Sequence, residues 1–314
     1  IILTLPALGL GEYMAYVFSG RSTFLAPLER LLYRLFRVDA AEDMPWKTYA
    51  LALAIFSIFG IAALFILQLV QGLLPLNPNS IGPVRWDTAL NAAISFVTNT
   101  NWQSYSGEKT MSVLTQMMGL AVQNFLSAAV GLAVLAAVIR GFLRKTASGI
   151  GNFWVDVTRA ILYVLLPLAL IWSVVLVSQG VVQTFTGSIT AQTLEGGKQA
   201  IALGPVASQE AIKEIGTNGG GFFNANASHP FENPTPLADL LELLGMLLIP
   251  AALPFTLGAL LKKRRQGVAI FAAMMLLYLA GLGAFTWSET RGNPLLAQAG
   301  VEGGLNMEGK EVRT

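Results

Sequence analysis

The sequence has no cysteine and little charge. Only 12% of its 314 residues are Asp, Glu, Lys or Arg, whereas an ordinary soluble domain carries about 25%. The lack of cysteine excludes disulfides and cysteine-ligated metal sites, although it leaves the redox compartment undetermined. The only histidine, His229, precedes Pro230, and we interpret it as a residue that braces a loop rather than as a metal ligand.

The sequence also lacks the phosphate-binding signature Gly-x-x-x-x-Gly-Lys-Ser/Thr and any large polar segment that would house a nucleotide site. We therefore expect that the chain is not an enzyme on its own and that it binds no nucleotide. If it takes part in ATP-driven transport, another subunit must bind the ATP. We expect no nucleic-acid partner, and the formal net charge of +2 indicates no other partner.

Long apolar runs dominate what is present. Hydrophobic residues make up 54% of the chain, and several runs reach the roughly 20 residues that a helix needs to cross a bilayer. The predicted fold is an all-α polytopic membrane protein embedded in the lipid bilayer. The predicted spans are residues 1–20, 48–73, 111–139, 160–178, 237–261 and 268–286.

Two segments are helical in pattern but too short to cross the membrane. They cover residues 87–97 and about 208–215, and Asp87 and Ser208 are their predicted N-caps. A polar loop follows each one. The first loop is residues 98–103, Thr-Asn-Thr-Asn-Trp-Gln, and the second loop is residues 216–224, Gly-Thr-Asn-Gly-Gly-Gly-Phe-Phe-Asn. Both loops carry Thr-Asn at the turn, so we interpret them as equivalent.

The order span, short helix, polar loop, span occurs twice. The first copy is residues 48–139 and the second is residues 160–261. Residues 1–47 hold the first span and an amphipathic cytoplasmic segment, in which Leu and Phe recur at helical spacing. Residues 268–314 are interpreted as the start of an incomplete third copy.

The basic residues give a topology. Thirteen of the 20 Lys and Arg residues lie in the connections 21–47, 140–159 and 262–265. These are alternate connections, as the positive-inside rule requires if all three are cytoplasmic. Both polar loops are then predicted to face the outside.

Both ends of the sequence indicate a fragment. The first residue is an Ile inside an apolar run, with no charged leader before it, and residues 306–314 form no closing element. We expect a truncated form of a longer chain.

Neither polar loop contains a charged residue, which argues against ion selection by a ring of charged side chains. A short helix that enters from outside points its partly negative C-terminal end into the membrane, where it favours a cation. Rings of backbone carbonyls that replace the hydration shell of an alkali cation fit these loops better. Asn/Gly loops between helices are commonly only turns, so a membrane scaffold with structural loops is the competing interpretation.

Six runs carry a resemblance to a known family: SFVTNTNWQSYSGE at 95–108, QNFLSAA at 123–129, GPVASQEAIK at 204–213, GTNGGGFFN at 216–224, HPFENP at 229–234 and NMEGK at 306–310. Through them the chain resembles the KdpA family, the potassium-binding subunits of bacterial Kdp potassium-transporting ATPases. The resemblance implies the fold of the potassium transporter superfamily, in which repeated span–pore helix–filter loop–span units surround one selectivity filter. The chain would cover roughly the first half of such a subunit.

The resemblance also implies a site and partners. Potassium ions would bind at two filter loops and pass to a P-type ATPase subunit, KdpB, in a complex with KdpC and KdpF in the bacterial inner membrane. The alternative is a stand-alone Trk/Ktr-like potassium channel-transporter. The implied filter residues are Thr98, Asn99, Thr100, Asn101, Gly216, Thr217, Asn218, Gly219 and Gly220, flanked by Gln103, Gly221 and Asn224.

Overall fold

The computed structural model describes residues 2–22, 24–144, 149–223 and 226–291. Within these ranges the chain is mostly helical, as predicted. Its α-helices are α1 Thr4–Phe18, α2 Ala26–Phe36, α3 Trp46–Val70, α4 Trp86–Val97, α5 Gly107–Thr110, α6 Val122–Leu143, α7 Phe153–Arg159, α8 Leu166–Ser178, α9 Val206–Ile215, α10 Pro236–Leu260 and α11 Arg264–Arg291.

Five helical stretches of the described chain are long and apolar enough to cross a membrane. They are Trp46–Leu73, Thr115–Leu143, Phe153–Ser178, Pro236–Leu260 and Arg264–Arg291. The predicted first span, residues 1–20, contains α1, which has 15 residues. The structure thus confirms a polytopic helical membrane protein.

Two of these spans contain π-helical turns. Residues Thr115–Ala121 precede α6, and residues Ala160–Leu165 join α7 to α8. The span Phe153–Ser178 begins seven residues before its predicted start at residue 160. The reason is local, since the side chain of Asn152 caps α7 by accepting hydrogen bonds from the backbone N–H of Trp154 at 3.1 Å and Val155 at 3.3 Å.

The N-caps predicted for the two short helices are wrong. Arg85 and Pro205 occupy the cap positions of α4 and α9, and neither makes a side-chain cap bond. Asp87 lies in the first turn, where it pairs with Arg85, and the Ser208 hydroxyl donates to the Pro205 carbonyl at 3.1 Å. The helices themselves are found within two residues of their predicted bounds.

A small sheet lies in the polar segment between α8 and α9. Strand β1, Ile189–Gln192, pairs antiparallel with β2, Lys198–Ile201, with Ile189 opposite Ile201. The sequence pattern predicts no strand here. The two strands are mostly exposed, so the hairpin adds a feature outside the helical body rather than changing the fold class.

Small residues form the centre of the largest buried cluster. Ala129, Ala133, Ala136 and Ala137 line one face of α6, and this face packs against side chains from α1, α3, α7 and α10. Alanine allows close approach of helix backbones, which is the usual basis of helix packing in membranes. The same cluster includes Ile215 at the end of α9, so α6 and the second short helix share one buried core.

The predicted amphipathic segment contains helix α2. Its Leu31, Leu35 and Phe36 side chains are exposed, whereas Glu29 on the opposite side is buried. The Glu29 carboxylate accepts hydrogen bonds from Arg159 and Tyr163, each at 2.8 Å. The helix is thus tied to α7 and the following π turn while its apolar side chains stay uncovered.

Candidate functional site

The short helix α4 ends in a Schellman motif. The backbone N–H of Asn99 donates to the Phe96 carbonyl at 3.4 Å, and that of Thr100 donates to the Ser95 carbonyl at 3.0 Å. Asn99 is left-handed, with φ 61°, as this motif requires of the residue after the cap. Thr98 is therefore the C-cap residue, and the chain leaves the helix axis at Asn99.

The short helix α9 ends in the same way. The N–H of Thr217 donates to the Glu214 carbonyl at 3.1 Å, and that of Asn218 donates to the Lys213 carbonyl at 3.0 Å. Thr217 is left-handed, with φ 56°. A β-branched residue in this conformation is uncommon and costs free energy, so the surrounding structure imposes it.

These hydrogen bonds set the correspondence between the two loops. Thr98 matches Gly216, Asn99 matches Thr217, and Asn101 matches Gly219. The equivalence of the two Thr-Asn pairs inferred from the sequence is therefore wrong by one residue. Helix ends, and not residue identity, define which positions of the two loops correspond.

The two loops lie against each other. The amide of Asn218 donates to Oδ1 of Asn99 and, at 3.1 Å, to Oγ of Ser127. Oγ of Ser127 also lies 2.9 Å from Oδ1 of Asn99. One turn earlier on α6, Asn124 accepts a hydrogen bond from the buried amide of Asn101. Helix α6 thus supports both loops from behind.

A second contact joins the outer ends of the loops. The amide of Gln103 donates to the Gly221 carbonyl at 3.1 Å and accepts from the Gly221 N–H at 3.0 Å. A Cβ on Gly220 would stand 3.0 Å from the Asn101 carbonyl oxygen, and Gly220 is left-handed with φ 70°. Glycine is required here by both conformation and close approach.

The site residues that the family resemblance implies, other than Asn224, thus lie together in the two neighbouring loops. Thr98, Thr100, Thr217 and Gly219 are exposed on the open side of the loops, whereas Asn101, Gly216, Asn218 and Gly220 are buried and Asn99 is half-buried. Gln103 and Gly221 join the loops, and Asn224 lies outside the described residues. Nothing within 4 Å would meet a Cβ on Gly219.

Several backbone carbonyls of the two loops accept no hydrogen bond from the described residues. Among the described residues, no hydrogen-bond donor reaches the carbonyls of residues 98–101 or 216–219. The next carbonyl in each loop is occupied: Trp102 accepts from the Ser95 hydroxyl at 3.1 Å, and Gly220 accepts from the Lys213 ammonium at 2.6 Å.

A buried ionic cluster that the sequence pattern does not predict lies behind the second loop. Lys213, 2% exposed, is 2.9 Å from Glu210 and 3.5 Å from Glu214. Oε1 of Glu232 accepts the N–H of Phe222 at 2.8 Å and of Phe223 at 3.2 Å. Burial, together with Glu210, raises the pKa of Glu232 to about 8. The signal available in the sequence was the group of three charged residues, Glu210, Lys213 and Glu214, within the ten residues of the short helix.

The single histidine has a structural position. The His229 ring stacks on Phe223 with ring centroids 3.8 Å apart, and its Nδ1 accepts the N–H of Phe231 at 3.1 Å. Burial lowers its pKa, which favours the neutral ring. This geometry supports the interpretation of His229 as a residue that braces the loop.

Comparison with known proteins finds one family. Residues 1–314 match the family model of KdpA, described as the potassium-transporting ATPase A subunit. Relatives named "potassium-transporting ATPase potassium-binding subunit" include one from Pseudomonas aeruginosa, 53% identical over 99% of this chain and 56% of its own length. The relative from Rhodospirillum centenum is 54% identical over 97% of this chain and 54% of its own length. The relative from Clostridium botulinum (strain Alaska E43 / Type E3) is 48% identical over 100% of this chain and 58% of its own length. The chain thus spans a little over half the length of these relatives.

Proposed function

Because the chain belongs to the KdpA family of potassium-transporting ATPase A subunits, we propose that it supplies two loops of a selectivity filter that captures K⁺ from outside the cell. The ion would then pass within the membrane to a P-type ATPase subunit of the KdpB type, in an inner-membrane complex with KdpC-like and KdpF-like subunits. ATP is hydrolysed in that partner. Family membership favours this assembly over a stand-alone Trk/Ktr-like transporter.

One observation carries the proposal. Two short helices end in the same hydrogen-bonded motif, and their loops touch through Asn99 and Asn218 while leaving carbonyls 98–101 and 216–219 without donors in the described chain. Such oxygens replace the water around an alkali cation. The partly negative C-terminal ends of α4 and α9 add a favourable potential for a cation at the same place.

The exposed glycine of the second loop provides the test. Gly219→Asp is expected to reduce discrimination of K⁺ from Na⁺, because it places a fixed charge in the open space before the carbonyls and strains a residue with φ 76°. The measurement is K⁺-stimulated ATPase activity of the complete complex, with and without Na⁺ competition.

Gly196→Asp is the matched control. Gly196 has φ 81° and open space around its Cβ position, but it lies at the hairpin turn. The backbone strain is therefore similar and only the distance from the loops differs. If Gly219→Asp discriminates K⁺ from Na⁺ as well as Gly196→Asp does, the filter assignment is wrong.

A further inference from the structure

We propose that Ser95 and Lys213 are equivalent positioning residues that end each loop's row of ion-facing carbonyls after four residues. This inference rests on the proposed function and deepens it, since it assigns which carbonyls face the ion. Its consequence is that the Gly220 carbonyl, implied as a filter oxygen by the family resemblance, lies outside the row.

The two residues occupy the same position in their helices. Ser95 lies three residues before Thr98, and Lys213 lies three residues before Gly216. Thr98 and Gly216 are the corresponding C-cap residues of α4 and α9. The backbone carbonyl of Ser95 accepts the N–H of Thr100, and that of Lys213 accepts the N–H of Asn218. The correspondence thus follows from the backbone alone, without reference to the side chains.

Each side chain then reaches the same point in its loop. The Ser95 hydroxyl donates to the carbonyl of Trp102, four residues after Thr98. The Lys213 ammonium donates to the carbonyl of Gly220, four residues after Gly216. Between the helix end and this contact, each loop has four carbonyls that no described donor reaches. Two different residue types thus make the same hydrogen bond at corresponding positions, and we call these two bonds the closing contacts.

The closing contacts remove the fifth carbonyl from ion binding. A carbonyl oxygen that accepts a hydrogen bond has one of its two lone pairs occupied, which leaves it less free to coordinate a cation. At Gly220 the donor is an ammonium, which also repels a second cation directly. Glu210, fully buried, lies 2.9 Å from the Lys213 ammonium and favours its charged form. The row of oxygens open to K⁺ therefore ends at Asn101 in one loop and at Gly219 in the other.

The neutral member of the pair gives the cleaner test. Ser95→Ala removes one hydroxyl from the short helix and leaves no unpaired charge. It frees the Trp102 carbonyl and loosens the end of the first row. Loss of such a hydrogen bond changes an equilibrium constant by about tenfold at most. We therefore expect the ratio of apparent affinities for K⁺ and Rb⁺ to fall by about two- to tenfold. Ser95→Thr keeps the hydroxyl and should restore the ratio.

The control for the hydroxyl is Ser173→Ala. The Ser173 hydroxyl makes an ordinary bond within α8 to the Ala169 carbonyl at 2.7 Å, away from both loops. We expect this variant to retain the wild-type affinity ratio. A purely structural role for Ser95 would instead lower the amount of active complex or its maximal rate while leaving the ratio unchanged.

The charged member is tested by Lys213→Met combined with Glu210→Gln, which also neutralises the nearer of the two buried carboxylates paired with Lys213. We expect a larger fall in the K⁺ to Rb⁺ ratio, about ten- to hundredfold, because a charged donor is lost from Gly220. Lys109→Met removes an exposed ammonium on α5 and should leave the ratio unchanged.

All variants are compared by K⁺- and Rb⁺-stimulated ATPase activity of the complete complex. If the wild-type complex shows no K⁺ stimulation, the proposed function itself fails. If the wild type is selective and Gly219→Asp alters it, but Ser95→Ala and the Lys213 double variant keep the wild-type ratio, only the positioning role is overturned. A change in ratio that Ser95→Thr reverses supports it.

Discussion

A left-handed residue directs the chain out of each short helix. At Asn99 the conformation is favourable, because an asparagine side chain tolerates positive φ. At Thr217 it is unfavourable, because the branched Cβ crowds the backbone. The Asn218 side chain holds the strained position through its bonds to Asn99 and Ser127. Strain retained beside a site and supported by neighbours is a common property of functional loops.

Replacing Thr217 with glycine should therefore raise stability. Relief of left-handed strain is worth about 1–3 kcal/mol, and the entropic cost of a new glycine is about 0.5–1 kcal/mol, so we expect a net gain of about 1 kcal/mol. Thermal or denaturant unfolding of the purified protein in detergent measures it.

Thr98→Gly is the matched control for that gain. Thr98 has φ −87°, and its hydroxyl donates to the Ile94 carbonyl at 2.9 Å. Glycine therefore relieves no backbone strain there and removes a side-chain hydrogen bond. We expect a loss of about 1 kcal/mol. Equal effects of the two substitutions would contradict both the strain at Thr217 and the one-residue correction in the correspondence of the loops.

Close helix crossing is the basis of the packing between α1 and α10. A Cβ on Gly11 would stand 2.6 Å from Cβ of Phe255 and 2.7 Å from the carbonyl oxygen of Ala252. Both neighbours belong to the core of α10, so neither can move aside freely. Gly9, two residues earlier on the same helix, has nothing within 4 Å of its Cβ position.

This difference predicts opposite results for the same substitution. Gly11→Ala should destabilise the protein by about 1–3 kcal/mol through overpacking. Gly9→Ala should be neutral or stabilise it by up to about 1 kcal/mol, since alanine is the better helix former. Unfolding in detergent compares the two. If Gly11→Ala is tolerated as well as Gly9→Ala, α1 does not cross α10 at this distance.

The attachment of α2 depends on pH. Burial raises the pKa of Glu29, but hydrogen bonds from Tyr33, Arg159 and Tyr163 outweigh this effect and hold the pKa below its ordinary value of 4.5. A lowered pKa means that the ionised carboxylate stabilises the fold, fully above pH 4.5 and progressively less as pH falls through the lowered pKa.

We therefore expect the wild type to lose stability on acidification below pH 4.5 by more than Glu29→Gln does. The melting temperature in detergent between neutral and acidic pH measures this. Glu195→Gln, at an exposed position beside the hairpin turn, should follow the wild type. If Glu29→Gln and the wild type lose the same stability over this range, Glu29 does not anchor the helix.

At the scale of the whole molecule, sequence patterns predict what depends on local composition. Apolar run length is enough to predict five of the spans, and the segments after α4 and α9 stand out by their polarity. The correspondence of the loops depends on backbone hydrogen bonds, which residue identity does not show. The supports from Asn124 and Ser127 depend on which helix packs behind the loops. In the sequence, Lys213 cannot be distinguished from an exposed charged residue of a helix, and only the structure shows that it is buried.

The orientation in the membrane remains a prediction from the basic connections, and the lack of cysteine in this chain makes it directly testable. Leu194 lies on the hairpin turn and is fully exposed, whereas Arg265 lies exposed at the start of α11. If the positive-inside rule applies, the hairpin and both loops face outside and Arg265 faces the cytoplasm. A cysteine introduced at either position is then the single reactive thiol of residues 1–314.

We expect a membrane-impermeant thiol reagent to label Leu194→Cys in intact spheroplasts and to label Arg265→Cys only after the membrane is permeabilised. Both positions are exposed, so a difference in labelling reports the side of the membrane rather than burial. The cysteine-free parent controls for labelling elsewhere in the complex. Labelling of Arg265→Cys in intact spheroplasts would contradict this topology. Helices α4 and α9 would then enter from the cytoplasm, and the proposed filter loops could not receive K⁺ from outside.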